Sequence, residues 1–219
     1  MPARFNGPPA SANGGYACGV VASLLGGRAE VTLRTPPRLD LPLTVTREGA
    51  AVRVADEGSL VAEAEPAVFE LEVPAPVSVD EAAQASRGYP GFAAHAYATC
   101  YVCGPARDDG LGIFPGPVEG RELVAAPWSP PRDLSEEMVW AALDCPSGWA
   151  IDTFGREGVL LGRLAVRILE RPSRGEPHVV LGWPLGADGR KRLAGSALVT
   201  AHGRTIAFAR STWIVPRAA

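Results

Sequence analysis

The sequence predicts an α+β fold made of two related units, each an antiparallel sheet laid against one buried helix. Three observations carry this. Two segments, residues 11–25 (SANGGYACGVVASLL) and 134–151 (LSEEMVWAALDCPSGWAI), are helix-like and apolar nearly all round, a pattern that belongs to buried helices. Each is followed by strand-like sequence whose punctuation repeats: Val31/Val166, Leu33/Ile168, Pro37/Pro172, Pro42/Pro177 and Val45/Val180 share one offset of 135 residues. A fixed offset that preserves turn residues and apolar alternation marks a duplicated unit. Finally, 21 prolines and 25 glycines spread over 219 residues favour many turns and short strands.

The elements follow in order. Asn13 suits the N-cap of the first helix, and Gly14-Gly15 fill its opening turn, where backbone N–H groups lack intrahelical partners. Gly26-Gly27 end it. Strands are expected at 30–34, 43–47, 51–55, 59–65 and 68–73, with turns at Glu48-Gly49 and Asp56-Glu57-Gly58 that favour a meander. Ser78-Val79-Asp80-Glu81 fits a capping box and predicts a short helix within a linker. The units are expected at 1–76 and 98–219, with the linker at 77–97. Further strands are expected at 98–102, 110–114 and 122–128. The second helix starts near Ser135, where Glu136 and Glu137 suit the positive helix end, and Pro146 should kink it or mark a restart. Strands at 160–169, 177–183, 191–201 and 204–215 complete the chain.

Composition narrows the function classes. A formal charge of −3 gives no basic footprint for nucleic acid or an anionic membrane, and no run reaches the roughly 20 apolar residues of a membrane span. The first residues, MPARFNGPPASANGG, lack a charged stretch followed by an apolar signal core, so a cytoplasmic location is expected. Four cysteines at this length are not a disulfide framework. Cys100-x-x-Cys103 has the spacing at which thiolates share a metal. A structural zinc site normally has four ligands, however, and no second C-x-x-C or paired His appears. His95 and Cys145 would join only through tertiary packing, so the expectation is no metal and no cofactor. A redox role is disfavoured by the missing strand–CxxC–helix setting. Cys18 and Cys145 are expected to pack as small apolar residues.

Residues 100–150 carry a resemblance. The stretch CYVCGPARDDGLGIF, with Leu143-Asp144 and Gly148-Trp149-Ala150 at the end of the second helix, resembles the C-[FY]-V-C-G-P…G-L-G and HGG…LD…GWA motifs of thioesterase-superfamily hotdog proteins. The HGG is replaced by Ser135-Glu136-Glu137. The first helix is its complement: Asn13-Gly14-Gly15 is similar to HGG with Asn for His, and Ala22 stands where the acid belongs. The resemblance implies a double hotdog like that of acyl-CoA thioesterase II enzymes, in which a curved sheet wraps one helix per unit. It further implies hydrolysis of an acyl thioester, such as an acyl-CoA, at one composite site. There Asp144 is general base or nucleophile, and the Gly14 and Gly15 N–H groups are the oxyanion donors. Asn13 and Asn6 are candidate substrate contacts. Arg210, standing where those enzymes carry Gln, is a candidate CoA-phosphate contact or a solvated surface residue. A homodimer of double hotdogs is a further expectation. The residues also permit plainer roles: Asn13-Gly14-Gly15 as a cap with a tight packing contact, and Asp144 as a partner for groups freed at Pro146. The alternative function is a non-catalytic module that binds an acyl or small ligand, or only dimerises.

Overall fold

Residues 1–151 and 159–216 are described by the computed structural model of the chain. In order these are α1 (Gly14–Ser23), β1 (Ala29–Leu33), β2 (Thr44–Glu48), β3 (Ala51–Asp56), β4 (Ser59–Pro66), α2 (Val79–Arg87), β5 (Gly116–Pro117), β6 (Val124–Trp128), α3 (Glu136–Trp149), β7 (Leu160–Ile168), β8 (His178–Asp188), β9 (Lys191–Thr200) and β10 (Thr205–Ile214). All ten strands join one antiparallel sheet in the order β2-β3-β4-β1-β7-β10-β9-β8-β6-β5. No helix among the described residues is long and apolar enough to cross a membrane.

The repeat seen in the sequence has a geometric counterpart at the join. In each half the strand after the apolar helix pairs with its equivalent, β1 with β7, and Glu30 lies opposite Ala165. These residues are separated by the same 135-residue offset as the repeated prolines, so a pseudo-twofold axis passes between them. Outward from it, β4-β3-β2 on one side correspond to β10-β9-β8 on the other.

Local chemistry explains most elements. Ser78 accepts from the Glu81 N–H, and the Glu81 carboxylate accepts from the Ser78 N–H, the reciprocal capping box that starts α2. The β3–β4 turn puts Glu57 and Gly58 at positive φ, 48° and 83°, as a two-residue hairpin requires. α3 runs unbroken through Pro146. The Ser196 hydroxyl donates to the Leu143 carbonyl at 2.5 Å, and the Ser147 hydroxyl donates to that of Asp144 at 2.7 Å, so side chains serve carbonyls in the turn where proline removes a donor.

Three expected strands do not form. Residues 98–102 and 110–114 are turns and irregular chain. The Cys100–Gly104 segment closes on itself through Gly104 N–H to the Cys100 carbonyl, 2.9 Å. Any Cβ at Gly104 would stand 2.4 Å from the Cys100 nitrogen. Residues 68–73 pair with no strand and lie as an extended strap on the outer sheet face, where Phe69 meets Phe208 edge-on at 5.4 Å. That face of the C-terminal half is covered by the strap and α2, packed on Val179, Leu181, Ala197 and Phe208. The inner face carries α3, packed on Val180, Ala194, Leu198 and Ala209 among others. Alternate residues of β8–β10 are thus buried on opposite sides, which explains their nearly continuous apolar sequence.

Candidate functional site

The candidate site forms where α1 of the first unit crosses α3 of the second. Gly15 and Gly19, one turn apart, let the helices touch: a Cβ at Gly15 would lie 2.4 Å from Asp144 Cβ and 2.8 Å from the Trp140 carbonyl, and one at Gly19 would lie 2.7 Å from Glu137 Cα. This approach brings Asp144 to the N-terminus of α1. Its Oδ2 accepts from the Gly15 N–H at 2.9 Å and from the Asn13 side-chain amide at 3.1 Å. Asn13 also caps α1, its Oδ1 accepting from the Tyr16 N–H at 2.9 Å. One amide therefore holds both the helix start and the acid from the other unit.

Asp144 is 1% exposed. Burial, which penalises the charged form, pushes its carboxyl up to about 7; Cys100 adds to this, while Gly15 N–H and Asn13 oppose it. The second oxygen, Oδ1, is buried without a partner among the described residues, an uncommon condition for a buried carboxylate. Asp144, Asn13 and Gly14 line a cavity of about 250 Å³ whose walls include Leu33, Val159, Leu161 and Trp213. It is a mostly apolar pocket with few convergent polar groups, the usual form of a ligand site.

The pseudo-symmetric position is closed down. A recess of about 30 Å³ at the start of α3 is lined by Ser135, Glu136, Ile168 and Pro172. Ile168 and Pro172 are the 135-residue counterparts of Leu33 and Pro37, which line the large cavity.

The structure sets the two glycines differently, although the sequence pairs them as oxyanion donors. The Gly15 N–H is taken by Asp144, so it is not available as a donor to substrate. Gly14 borders the cavity and occupies the first helical position, whose N–H has no intrahelical acceptor.

Asn6 and Arg210 are not brought to the cavity. The Asn6 side chain donates to the Gly7 carbonyl and the Thr99 hydroxyl and accepts from Arg107 at 2.8 Å, tying the N-terminal segment to the 98–107 loop. Arg210 lies on the outer face of β10, pairs with Glu30 at 3.0 Å, and sits over the Phe69 ring at 5.2 Å. Because exposed pairs contribute little, Arg210→Ala is expected to leave both stability and the KM for any acyl-CoA within twofold. A tenfold rise in KM would restore the phosphate contact.

Other cavity residues stand out in the sequence only as candidate metal ligands or, for Tyr97, carry no signal. His95, Tyr97, Cys100, Cys103 and Cys145 all line it. The sulfurs of Cys100, Cys103 and Cys145 lie within 4.8 Å of one another, with Cys100 and Cys145 3.8 Å apart. Hydrogen bonds from Cys103 and Cys145, with further ones from the Cys103 and Val102 N–H groups, hold the Cys100 thiol well below its ordinary range. Burial pushes Cys103 and Cys145 up. The C-x-x-C pair was visible in the sequence; Cys145, 42 residues beyond Cys103, reaches it only because α3 packs beneath the loop.

No family model matches the chain, and no curated protein matches it in sequence. Among solved structures, a conserved hot dog fold protein of unknown function from Alicyclobacillus acidocaldarius superposes with a TM-score of 0.66 at 10% identity, covering 100% of this chain and 92% of its own. A tesB protein of Mycobacterium avium subs paratuberculosis gives 0.59 at 14% identity, covering 93% and 87%. An acyl-CoA thioesterase II from Mycobacterium marinum gives 0.54 at 13%, covering 95% and 92%. Likeness over nearly the whole length, at identities this low, is a likeness of fold, and the fold is the double hotdog.

Proposed function

We propose that the protein hydrolyses an acyl thioester at one composite site, with Asp144 as general base. The carrying observation is the Asp144 carboxylate. It is buried at the wall of an apolar cavity, with one oxygen anchored by Gly15 and Asn13 and the other without a partner among the described residues. The anchor fixes orientation, and the remaining oxygen takes a proton from water as the water oxygen attacks the thioester carbonyl carbon. Charge developing on the carbonyl oxygen falls to the Gly14 N–H at the positive end of α1. When the tetrahedral intermediate collapses, the carbon–sulfur bond breaks and Asp144 returns the proton to the leaving thiolate. A carboxylic acid and a free thiol result, and the carboxylate is regenerated. A carboxyl whose pKa lies near the working pH suits both transfers.

Two of the solved structures named above are called tesB or acyl-CoA thioesterase II, which agrees with this reading and favours an acyl-CoA substrate. The cavity volume of about 250 Å³ suits a short or compact acyl group. The test is a panel of acyl-CoA thioesters of graded length and shape, with thiol release followed continuously. Turnover of at least one member, saturable and above the buffer rate, is expected. Binding across the panel with no thiol release would instead assign the cavity to ligand capture without chemistry.

A further inference from the structure

We infer that Cys100, Cys103 and Cys145 form a thiolate site for a tetrahedral d10 cation of the zinc class. The proposal stands on the geometry of the loop and helix and is independent of the thioester reading. Zinc–thiolate bonds are about 2.3 Å, so a tetrahedral ion sets its sulfurs roughly 3.8 Å apart. The Cys100 and Cys145 sulfurs stand at 3.8 Å, and all three lie within 4.8 Å of one another. Soft thiolates select such ions over magnesium or calcium.

The surroundings are built around sulfur acceptors. The Cys100–Gly104 turn points the Val102 and Cys103 N–H groups at Cys100 sulfur, and Gly104 is required by the closeness of the turn. His95 Nε2 lies 3.4 Å from Cys103 sulfur. Its Nδ1 accepts from the Tyr97 N–H at 2.9 Å, which leaves the ring proton on Nε2 as a donor to that sulfur. The Asn13 amide approaches the sulfurs of Cys100 and Cys145, each at 3.8 Å. Thiols that merely fill space do not collect donors from a side-chain ring, an amide and two backbone groups. Such contacts from the surrounding shell are what orient and hold metal ligands. With His95 donating rather than ligating, the described residues supply three ligands. The fourth position opens toward the cavity the cysteines line, where water or a substrate thiol completes it.

The test uses the full chain, reduced and stripped with a chelator, then titrated with Zn²⁺ against a chromophoric competitor and separately with Co²⁺. One equivalent of zinc is expected, with a Co²⁺ spectrum showing thiolate charge transfer and intense tetrahedral bands. A zinc-dependent rise in melting temperature, reversed by chelator, is expected on the wild-type chain and needs no variant. Cys145→Ser and the loop variant Cys103→Ser are each expected to weaken uptake at least 100-fold, while Cys18→Ser, on α1 and outside the sulfur cluster, leaves it unchanged. Absence of uptake by the reduced wild type, equal uptake by Cys145→Ser, or a cobalt spectrum without thiolate charge transfer would overturn the site. Those results leave the Asp144 chemistry standing, because Asn13 and Gly15 hold that carboxyl without a metal.

Discussion

Asp144→Asn is expected to lower kcat on the best acyl thioester by roughly 10²–10⁴-fold and, at the same time, to stabilise the fold above neutral pH. The two effects have one origin. In the folded chain the Asp144 carboxyl is pushed from 3.8 up to about 7, chiefly by burial, so the folded state binds a proton that the unfolded state has released. Stability is therefore full below about pH 4, falls as the pH rises through that window, and levels off above 7. The ceiling on this loss is on the order of 4 kcal/mol. Asn keeps an oxygen to accept from Gly15 and Asn13 and removes the charge. The variant should gain about 1–2 kcal/mol over wild type at pH 8, no more than about 0.5 at pH 4. Urea denaturation of chelator-treated protein at both values measures it. A purely structural Asp144 predicts loss of stability and no specific loss of turnover; a variant retaining a tenth of wild-type kcat would remove Asp144 from the chemistry.

Gly15→Ala carries the second large effect, and its direction is decided by two opposing magnitudes. In an isolated helix alanine is better than glycine by about 1 kcal/mol. Here the new methyl would stand 2.4 Å from Asp144 Cβ, 2.8 Å from the Trp140 carbonyl and 3.0 Å from Ala141 Cα, and two of those three are main-chain atoms of α3. The helices must separate, at a cost of about 3 kcal/mol or more, or roughly 6–12 °C in Tm for a chain of this size. Separation also draws the Gly15 N–H away from Asp144, so turnover should fall beyond what the unfolded fraction explains. A stable, fully active Gly15→Ala would show that the helix crossing does not set the acid's position.

Much of the architecture was written in local chemistry. The caps at Asn13 and Ser78, the turns at Gly49 and Gly58, and the shared prolines after each helix all act within a few residues. The expected strands at 68–73, 98–102 and 110–114 failed for a different reason. Apolar alternation there reports burial, and burial is supplied by a strap under Phe69 and by a looped knuckle at Cys100, with no strand ladder. The candidate site was half legible. The sequence singled out Asp144, Gly14 and Gly15 as candidates, and the structure sets the three together where α1 crosses α3, beside the larger of the two recesses at the helix starts. The different settings of Gly14 and Gly15 were not legible, because they depend on which N–H the crossing of α1 and α3 turns toward the acid. Cys145, expected to pack as a small apolar residue, could be tied to the C-x-x-C pair only through tertiary packing: a residue on one face of a helix has no sequence mark for the loop that will lie over it.

The pairing of Glu30 with Ala165 also governs how the molecule comes into being. The contacts that make the site, β1 on β7 and α1 on α3, join residues more than a hundred positions apart, and such contacts form late because a long loop must close before they reward the chain. While the second half is still being synthesised, β1 has an open edge and the α1 glycines face no partner. The first unit then has the Leu33 and Pro37 side of the cavity but neither the acid nor the wall of Val159, Leu161 and Trp213, so the candidate site is assembled in one step, when the two halves close along the axis.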